Sequence, residues 1–362
     1  MFNNKILKNE EAASLKLRSL YSGFGYTRFK MSKFEEYDLY VRNKDFLISD
    51  GIITFTDTNG KLLALKPDVT LSIIKNSTDD GGTKKLYYDE NVYRISGDSK
   101  SFKEITQTGL ECIGNVALYD ECEVLNLALE SLATIDENFI LDISHAGLVS
   151  ALFDSLTLGD ATRKKIITAL REKSRDAITS LYEAKEIDEK VLFVANKLIA
   201  NYKTSLSVKS AFEGLGADNE LQSFIGLLTA AEKLGFGGKL NIDFSIINDR
   251  SYYSGVVFKG YIKGIPSEVL SGGRYDKLMR KMGRSSGAIG FAVYLDLLER
   301  HGAPKSDFDY DYIVINSCGL DADKVITKVK ELSCEGKTVA VMGEIPKGVT
   351  CREVIDLSEG EK

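Results

Sequence analysis

Two histidines and five cysteines are the residues that could run imidazole, metal or thiol chemistry in this chain, and their placement argues against all three. Cys112, Cys122, Cys318, Cys334 and Cys351 are odd in number, widely spaced and without a C-x-x-C pair, which suggests neither a zinc site nor a disulfide framework. Such cysteines fit a reducing compartment, the cytoplasm. His145 follows the apolar run Phe139–Ile143 at a strand-to-helix junction, where hydrogen bonding to a helix terminus is the expected role. His301 closes an expected helix and faces the negative end of its dipole. No metal site, cofactor or catalytic residue is therefore expected. Gly235-Phe236-Gly237-Gly238-Lys239 is not a phosphate loop, because it lacks the Walker spacing and runs into a strand instead of a helix.

The frame around these residues is a chain of 362, 43% hydrophobic and 28% charged, long enough for two or three domains. Its apolar runs are strand-length, short of the roughly 20 residues of a membrane span. The polar start, Met1 to Glu10, does not read as a signal peptide. A net charge of −6 argues against a large nucleic-acid surface.

Periodicity predicts a helix over Glu10 to Ser22, extended chain through Tyr40, and a hairpin of Ile52–Thr56 with Lys61–Ala64 around Asp57-Thr58-Asn59-Gly60. A short helix at Thr70–Lys75, an antiparallel pair Lys85–Arg94 and Glu104–Gly114, and a helix at Glu121–Ala133 follow. Residues 148–235 read as a helical insertion. Strands resume at Lys239–Ile246, Tyr252–Tyr261 and Glu268–Leu270, with helices from Arg274 and over Gly287–His301. The fold class expected is α+β, one antiparallel sheet domain over residues 1–305 broken by the insertion. A small α/β unit of strand, helix and strand fills residues 306–362.

Four separated segments, in order and over about 300 residues, resemble class II histidyl-tRNA synthetases. Leu65-Lys66-Pro67-Asp68-Val69-Thr70 is similar to the family's Leu-Arg-Pro-Glu-Gly-Thr. Tyr93-Arg94 through Gln107-Thr108-Gly109-Leu110-Glu111 is similar to motif 2 and its continuation. Tyr252-Tyr253-Ser254-Gly255-Val256-Val257-Phe258 resembles the histidine-binding hairpin, and Gly272-Gly273-Arg274-Tyr275-Asp276 with Gly290-Phe291-Ala292 resembles the block leading into motif 3. The resemblance implies a sheet flanked by helices, usually dimeric, carrying an amino-acid pocket. In it Asp68, Thr70, Gln107 and Glu111 would accept from an α-ammonium or ring N–H, Arg94 would hold a carboxylate, and Tyr252 and Tyr253 would form an aromatic wall. The alternative is that these side chains only maintain an inherited polar network.

The departures from the family lie on its nucleotide side. Where motif 3 reads Gly-Phe-Ala-x-Gly-Leu-Glu-Arg, this chain has Gly290-Phe291-Ala292-Val293-Tyr294-Leu295-Asp296-Leu297, replacing the ATP-binding arginine by Leu297 and a small glycine by Tyr294. The family's catalytic arginine aligns with Asn248, with Arg250 two positions away, and Ser96 stands where motif 2 has glutamate. Losing even one group that stabilises developing charge typically costs about 10²–10³ in rate. The C-terminal unit is also too short and acidic to resemble an anticodon-binding domain, so tRNA is not an expected partner.

This combination resembles the non-catalytic branch of the family that partners the short form of ATP phosphoribosyltransferase in histidine biosynthesis. The resemblance implies a hetero-oligomer containing a self-dimer, with histidine as a possible ligand. Ser32, where motif 1 usually has proline, leaves the dimer less secure than the fold. Two other readings remain open, a divergent working synthetase and a stand-alone amino-acid sensor or adaptor.

Overall fold

The computed structural model describes residues 7–44, 47, 51–79, 81–95, 101–156, 158–246, 253–299, 308–316 and 322–357. The chain divides into two compact units, Ala13–His301 and Met1–Ala12 with Gly302–Lys362.

Helix α1 (Asn9–Gly23) buries Ala13, Leu17 and Tyr21, one face at four-residue spacing. After β1 (Thr27–Arg28) and β2 (Phe34–Glu36), a short α2 (Tyr37–Arg42) occupies part of the stretch expected to be extended. Burial decides that difference, because the turn of helix places Tyr40 fully inside a cluster with Val69, Leu71 and Ile74. Strands β3 (Thr54–Thr56) and β4 (Leu62–Leu65) form the expected hairpin, and β2 adds to β4. Gly60 takes φ +79° at its turn. The Asp57 carboxylate fastens that turn by accepting from the Asn59 and Lys61 amides, both at 2.8 Å.

Next come α3 (Thr70–Asn76), β5 (Lys84–Ile95), β6 (Phe102–Gly114), α4 (Leu118–Ile135) and β7 (Phe139–His145). Six helices then run consecutively, α5 (Ala146–Asp154), α6 (Asp160–Arg171), α7 (Arg175–Glu183), α8 (Glu189–Ile199), α9 (Ser205–Phe212) and α10 (Asp218–Ala231). Ser174, Asp188 and Thr204 cap three of them by accepting from backbone amides. The unit finishes with β8 (Leu240–Ile242), β9 (Val256–Ile262), β10 (Leu270–Arg274), α11 (Asp276–Lys281) and β11 (Gly287–Tyr294).

Eight strands make one mixed sheet in the order β1-β5-β6-β11-β10-β9-β7-β8. Its interior is antiparallel, and the parallel pairs lie at the two ends. The helix expected over Gly287–His301 is instead β11 followed by a 3₁₀ turn at Leu295–Leu298. Alternation explains the difference: Ile289, Phe291 and Val293 enter the main core. Gly290, Ala292 and Tyr294 face the opposite side, and pairing with both β6 and β10 satisfies the backbone.

The core side of the sheet is covered by α1, α4 and the consecutive helices in one continuous apolar cluster. Leu110, Leu141, Phe258 and Phe291 from the strands share it with Leu170, Val194, Phe212 and Phe224 from the helices. A bridge of two backbone hydrogen bonds between Tyr202 and Ile242, 3.1 and 3.0 Å long, ties the helical stretch to β8. On the other face a second cluster, built from α2, α3 and α11, covers only part of the sheet. The uncovered part is a cavity.

In the smaller unit β12 (Tyr310–Ile315), α12 (Ala322–Cys334) and β13 (Val339–Met342) match the expected strand, helix and strand. A further strand, β14 (Cys351–Asp356), makes an all-parallel sheet in the order β13-β12-β14. Its half-charged sequence, exposed at the sheet edge, hides it from pattern reading.

Candidate functional site

The cavity encloses about 320 Å³, and the sheet forms its floor in register rows. One row runs from Glu111 on β6 to Gly290 on β11, Gly273 on β10 and Val257 on β9. The next is Tyr88, Gly109, Ala292, Ser271 and Lys259. In the third, Glu90 and Gln107 are followed by Tyr294. The first two rows are floored by small residues, so neighbouring side chains lie flat across them. A Cβ on Gly290 would run into the Glu111 carboxylate, and one on Gly273 would come within 2.7 Å of the Tyr253 ring. These glycines are spacers for specific side chains.

Over that floor stand two acids. Glu111, 2% exposed, accepts from the Thr70 hydroxyl at 2.9 Å and from the Tyr275 hydroxyl at 2.5 Å. Burial pushes its carboxyl up to about 8; the two hydroxyl donors oppose that shift and the nearby Asp68 adds to it. Asp68 accepts from the Leu71 amide at 3.0 Å at the start of α3. Burial raises its pKa too, against the pull of the Leu71 amide, Arg94 and the Thr70 amide. Arg94 is buried, and its Nε donates to the Pro67 carbonyl at 2.9 Å. Gln107 is 3% exposed and its Nε2 has no hydrogen-bond partner, a buried donor aimed into a polar cavity.

Six of the seven side chains singled out from the sequence, Asp68, Thr70, Arg94, Gln107, Glu111 and Tyr253, line this one cavity. Tyr252 lies outside the described residues, as do Asn248, Arg250, Ser96 and His301. The cavity also takes Tyr88, Tyr275, Ser271 and the ion pair of Lys259 with Glu268, 3.3 Å apart, none of which the motifs marked as pocket residues. Register could have found Tyr88, since it pairs with Gly109 on the face that carries Gln107 and Glu111.

Arg274, one residue before Tyr275, turns away from the acids. Its Nε donates to Asp276 at 2.9 Å and its guanidinium pairs with buried Glu121, while Asp276 accepts from the Ala288 amide at 3.1 Å. That network fixes the strand-to-helix corner from which Tyr275 reaches Glu111. Tyr294 lines the cavity with its hydroxyl 2.8 Å from the Ser271 hydroxyl. Leu297 packs against the main core and is not among the cavity residues.

His145 holds the role expected from sequence: its Nδ1 accepts from the Leu148 amide at 2.9 Å and caps α5. Burial, with the charge of Arg274, lowers its pKa to about 4, so the imidazole is neutral. Among the described residues no His, Cys, Asp and Glu cluster is arranged to hold a metal ion, and no helix is long and apolar enough to cross a membrane.

Residues 3–298 match the family model described as histidyl-tRNA synthetase. A Clostridium botulinum protein named ATP phosphoribosyltransferase regulatory subunit is 28% identical over 296 residues, 77% of this chain and 69% of its own length. A Bacillus halodurans crystal structure, described as an ATP phosphoribosyltransferase regulatory subunit/histidyl-tRNA synthetase, superposes with TM-score 0.76 at 23% identity, covering 96% of this chain and 93% of that one. A chain of an ATP phosphoribosyl transferase complex from Thermotoga maritima superposes with TM-score 0.64 at 20% identity, covering 78% and 96%. At such identities the two structures speak for the fold, which is that of the class II histidyl-tRNA synthetases.

Proposed function

We propose that this chain, which belongs to the histidyl-tRNA synthetase family, is the non-catalytic regulatory subunit of an ATP phosphoribosyltransferase and reads free histidine in the cavity described above. The observation that carries the reading is the division of the floor. Six residues suited to an amino acid converge on it, whereas its third row is raised by Tyr294, at a position where the sequence resemblance puts a small glycine of the synthetase nucleotide site. The name of the C. botulinum relative favours the same role.

In this reading Asp68 and Glu111 receive the α-ammonium and an imidazole N–H. Gln107 donates to a ligand oxygen, which would satisfy its orphaned Nε2, and Arg94 faces the carboxylate. Tyr252 and Tyr253 supply the wall. The partner is the short-form catalytic subunit, in a cytoplasmic hetero-oligomer that contains a self-dimer of this chain and binds no tRNA. The chain comprises a synthetase-like domain over residues 1–305 and a small C-terminal domain over 306–362. Histidine acts by differential affinity for two states of the assembly, for which couplings of about 1–3 kcal/mol are usual.

The test is reconstitution. Mixed with a short-form catalytic subunit, the chain should co-elute on size exclusion, raise phosphoribosyltransferase activity and make it sensitive to histidine. Absence of a complex sinks the assignment. The family match keeps one other reading in view, a divergent synthetase, and histidine-dependent exchange between pyrophosphate and ATP by the chain alone would establish it instead.

A further inference from the structure

We propose that Tyr294 sets the ligand class of this cavity, admitting amino acids with a free α-carboxylate and turning away those whose carboxyl group carries a further substituent. The inference deepens the histidine reading and rests on it.

The floor of the cavity is graded. Gly290, Gly273, Gly109, Ala292 and Ser271 leave two rows low, and the third rises where Tyr294 stands directly across the β6–β11 register from Gln107. Tyr294 does not swing freely there, because its hydroxyl and that of Ser271 on β10 share a hydrogen bond of 2.8 Å. The ring is thereby strapped from one strand to the next across the end of the floor. Burial raises the phenol's pKa, so the strap stays protonated and uncharged.

Arg94, the cation assigned to the ligand carboxylate, lies on the same face of β5 as Glu90 and two register rows beyond it, on the far side of the Gln107–Tyr294 row from Glu111, and lines the same cavity. A carboxylate held there therefore meets Tyr294. The cavity volume, about 320 Å³, is at the bottom of the range of roughly 300–1,000 Å³ for small-molecule sites, which suits an amino acid.

The experiment compares histidine with its N-acyl methanesulfonamide by titration calorimetry on the full chain. The second probe keeps an anion where the carboxylate was and adds bulk beyond it, so loss of charge cannot account for its exclusion. The wild-type chain should bind the sulfonamide more than about 10-fold more weakly than histidine. In Tyr294→Gly that ratio should fall to within about 3-fold, and Tyr294→Phe, which keeps the ring but loses the strap, should fall between the glycine variant and the wild type.

Ser271→Ala, which releases the strap without shortening the ring, should fall between and keeps the test standing if the glycine variant misfolds. Equal binding of both probes by the wild type, an unchanged ratio in Tyr294→Gly, or, where that variant misfolds, an unchanged ratio in Ser271→Ala, overturns the proposal while leaving the histidine pocket intact. No histidine binding at all removes the pocket reading itself, and this inference with it.

Discussion

The two ends of the cavity share strands β6 and β11 and differ in what stands at alternate positions along them. At the acid end Gly290 and Gly273 lie low, so the Glu111 carboxylate and the Tyr253 ring rest across the floor. At the other end Tyr294 rises and is fastened to Ser271. In a sheet of fixed register, one side chain per row is enough to decide what space remains above it, because β11 is held on both sides and cannot slide. The comparison teaches that a ligand class can be narrowed with no change of backbone.

The sharpest way to break this contrast is to raise the low end. Gly290→Ala should lose detectable histidine binding and destabilise the chain by about 1–3 kcal/mol, because its Cβ would displace the Glu111 carboxylate and press on the Leu110 carbonyl. Calorimetry and thermal melting read the two effects. Wild-type melting and affinity in this variant would refute the role given to glycine.

Glu111→Gln tests the acid without altering its size. Histidine affinity should drop about 10- to 100-fold, since a bound cation displaces the Glu111 proton and gains a charge-assisted hydrogen bond that the amide cannot supply. A Kd within 2-fold of wild type would move the cation-binding role to Asp68.

The same variant should change how stability responds to pH. Burial lifts the Glu111 carboxyl from 4.5 to about 8, so between those values the folded empty chain holds a proton that the unfolded chain has released. The contribution of this group is therefore present at low pH and lost as pH rises toward 8, with a slope of at most about 1.4 kcal/mol per unit. Melting curves from pH 5 to 9 should show that decline in the wild type and a flatter profile in Glu111→Gln. Identical profiles would remove the buried acid from the account.

The smallest effect belongs to the cavity rim. Lys259 and Glu268 form a pair 3.3 Å apart whose side chains are 24% and 39% exposed, so screening by water limits its worth. Lys259→Ala should shift stability by no more than about 1 kcal/mol in chemical denaturation. A larger loss would show that the rim matters to the cavity as much as its floor.

Legibility in the sequence followed the motifs. Asp68, Thr70, Arg94, Gln107, Glu111 and Tyr253 could be singled out because they fall in short, recognisable strings, although those strings are separated along the chain. Tyr88 falls in no such string and becomes a pocket residue through the β5–β6 register that sets it beside Gly109; Tyr275 falls in one, but becomes a pocket residue through the corner that aims it at Glu111. The strand at Gly287–Tyr294 has the look of a helix in sequence because its apolar run continues into Leu295-Asp296-Leu297-Leu298, whose spacing also suits one. The α2 helix was hidden for a different reason: its stability comes from burying Tyr40, a tertiary fact that local propensity does not contain.

Residues 148–235 form an insertion only in the linear order of the chain. Leu170, Val194, Phe212 and Phe224 complete the same apolar cluster that Leu141 and Phe258 begin, and the Tyr202–Ile242 bridge stitches the two backbones together. Excised, those helices would expose the apolar faces of α4 and of strands β7 to β9 that they now cover, and grafted elsewhere they would carry an unmatched greasy face. The region is thus a keystone and not a cartridge: its outer surface is free to vary, but any replacement must reproduce the inner face that meets α4 and the strands.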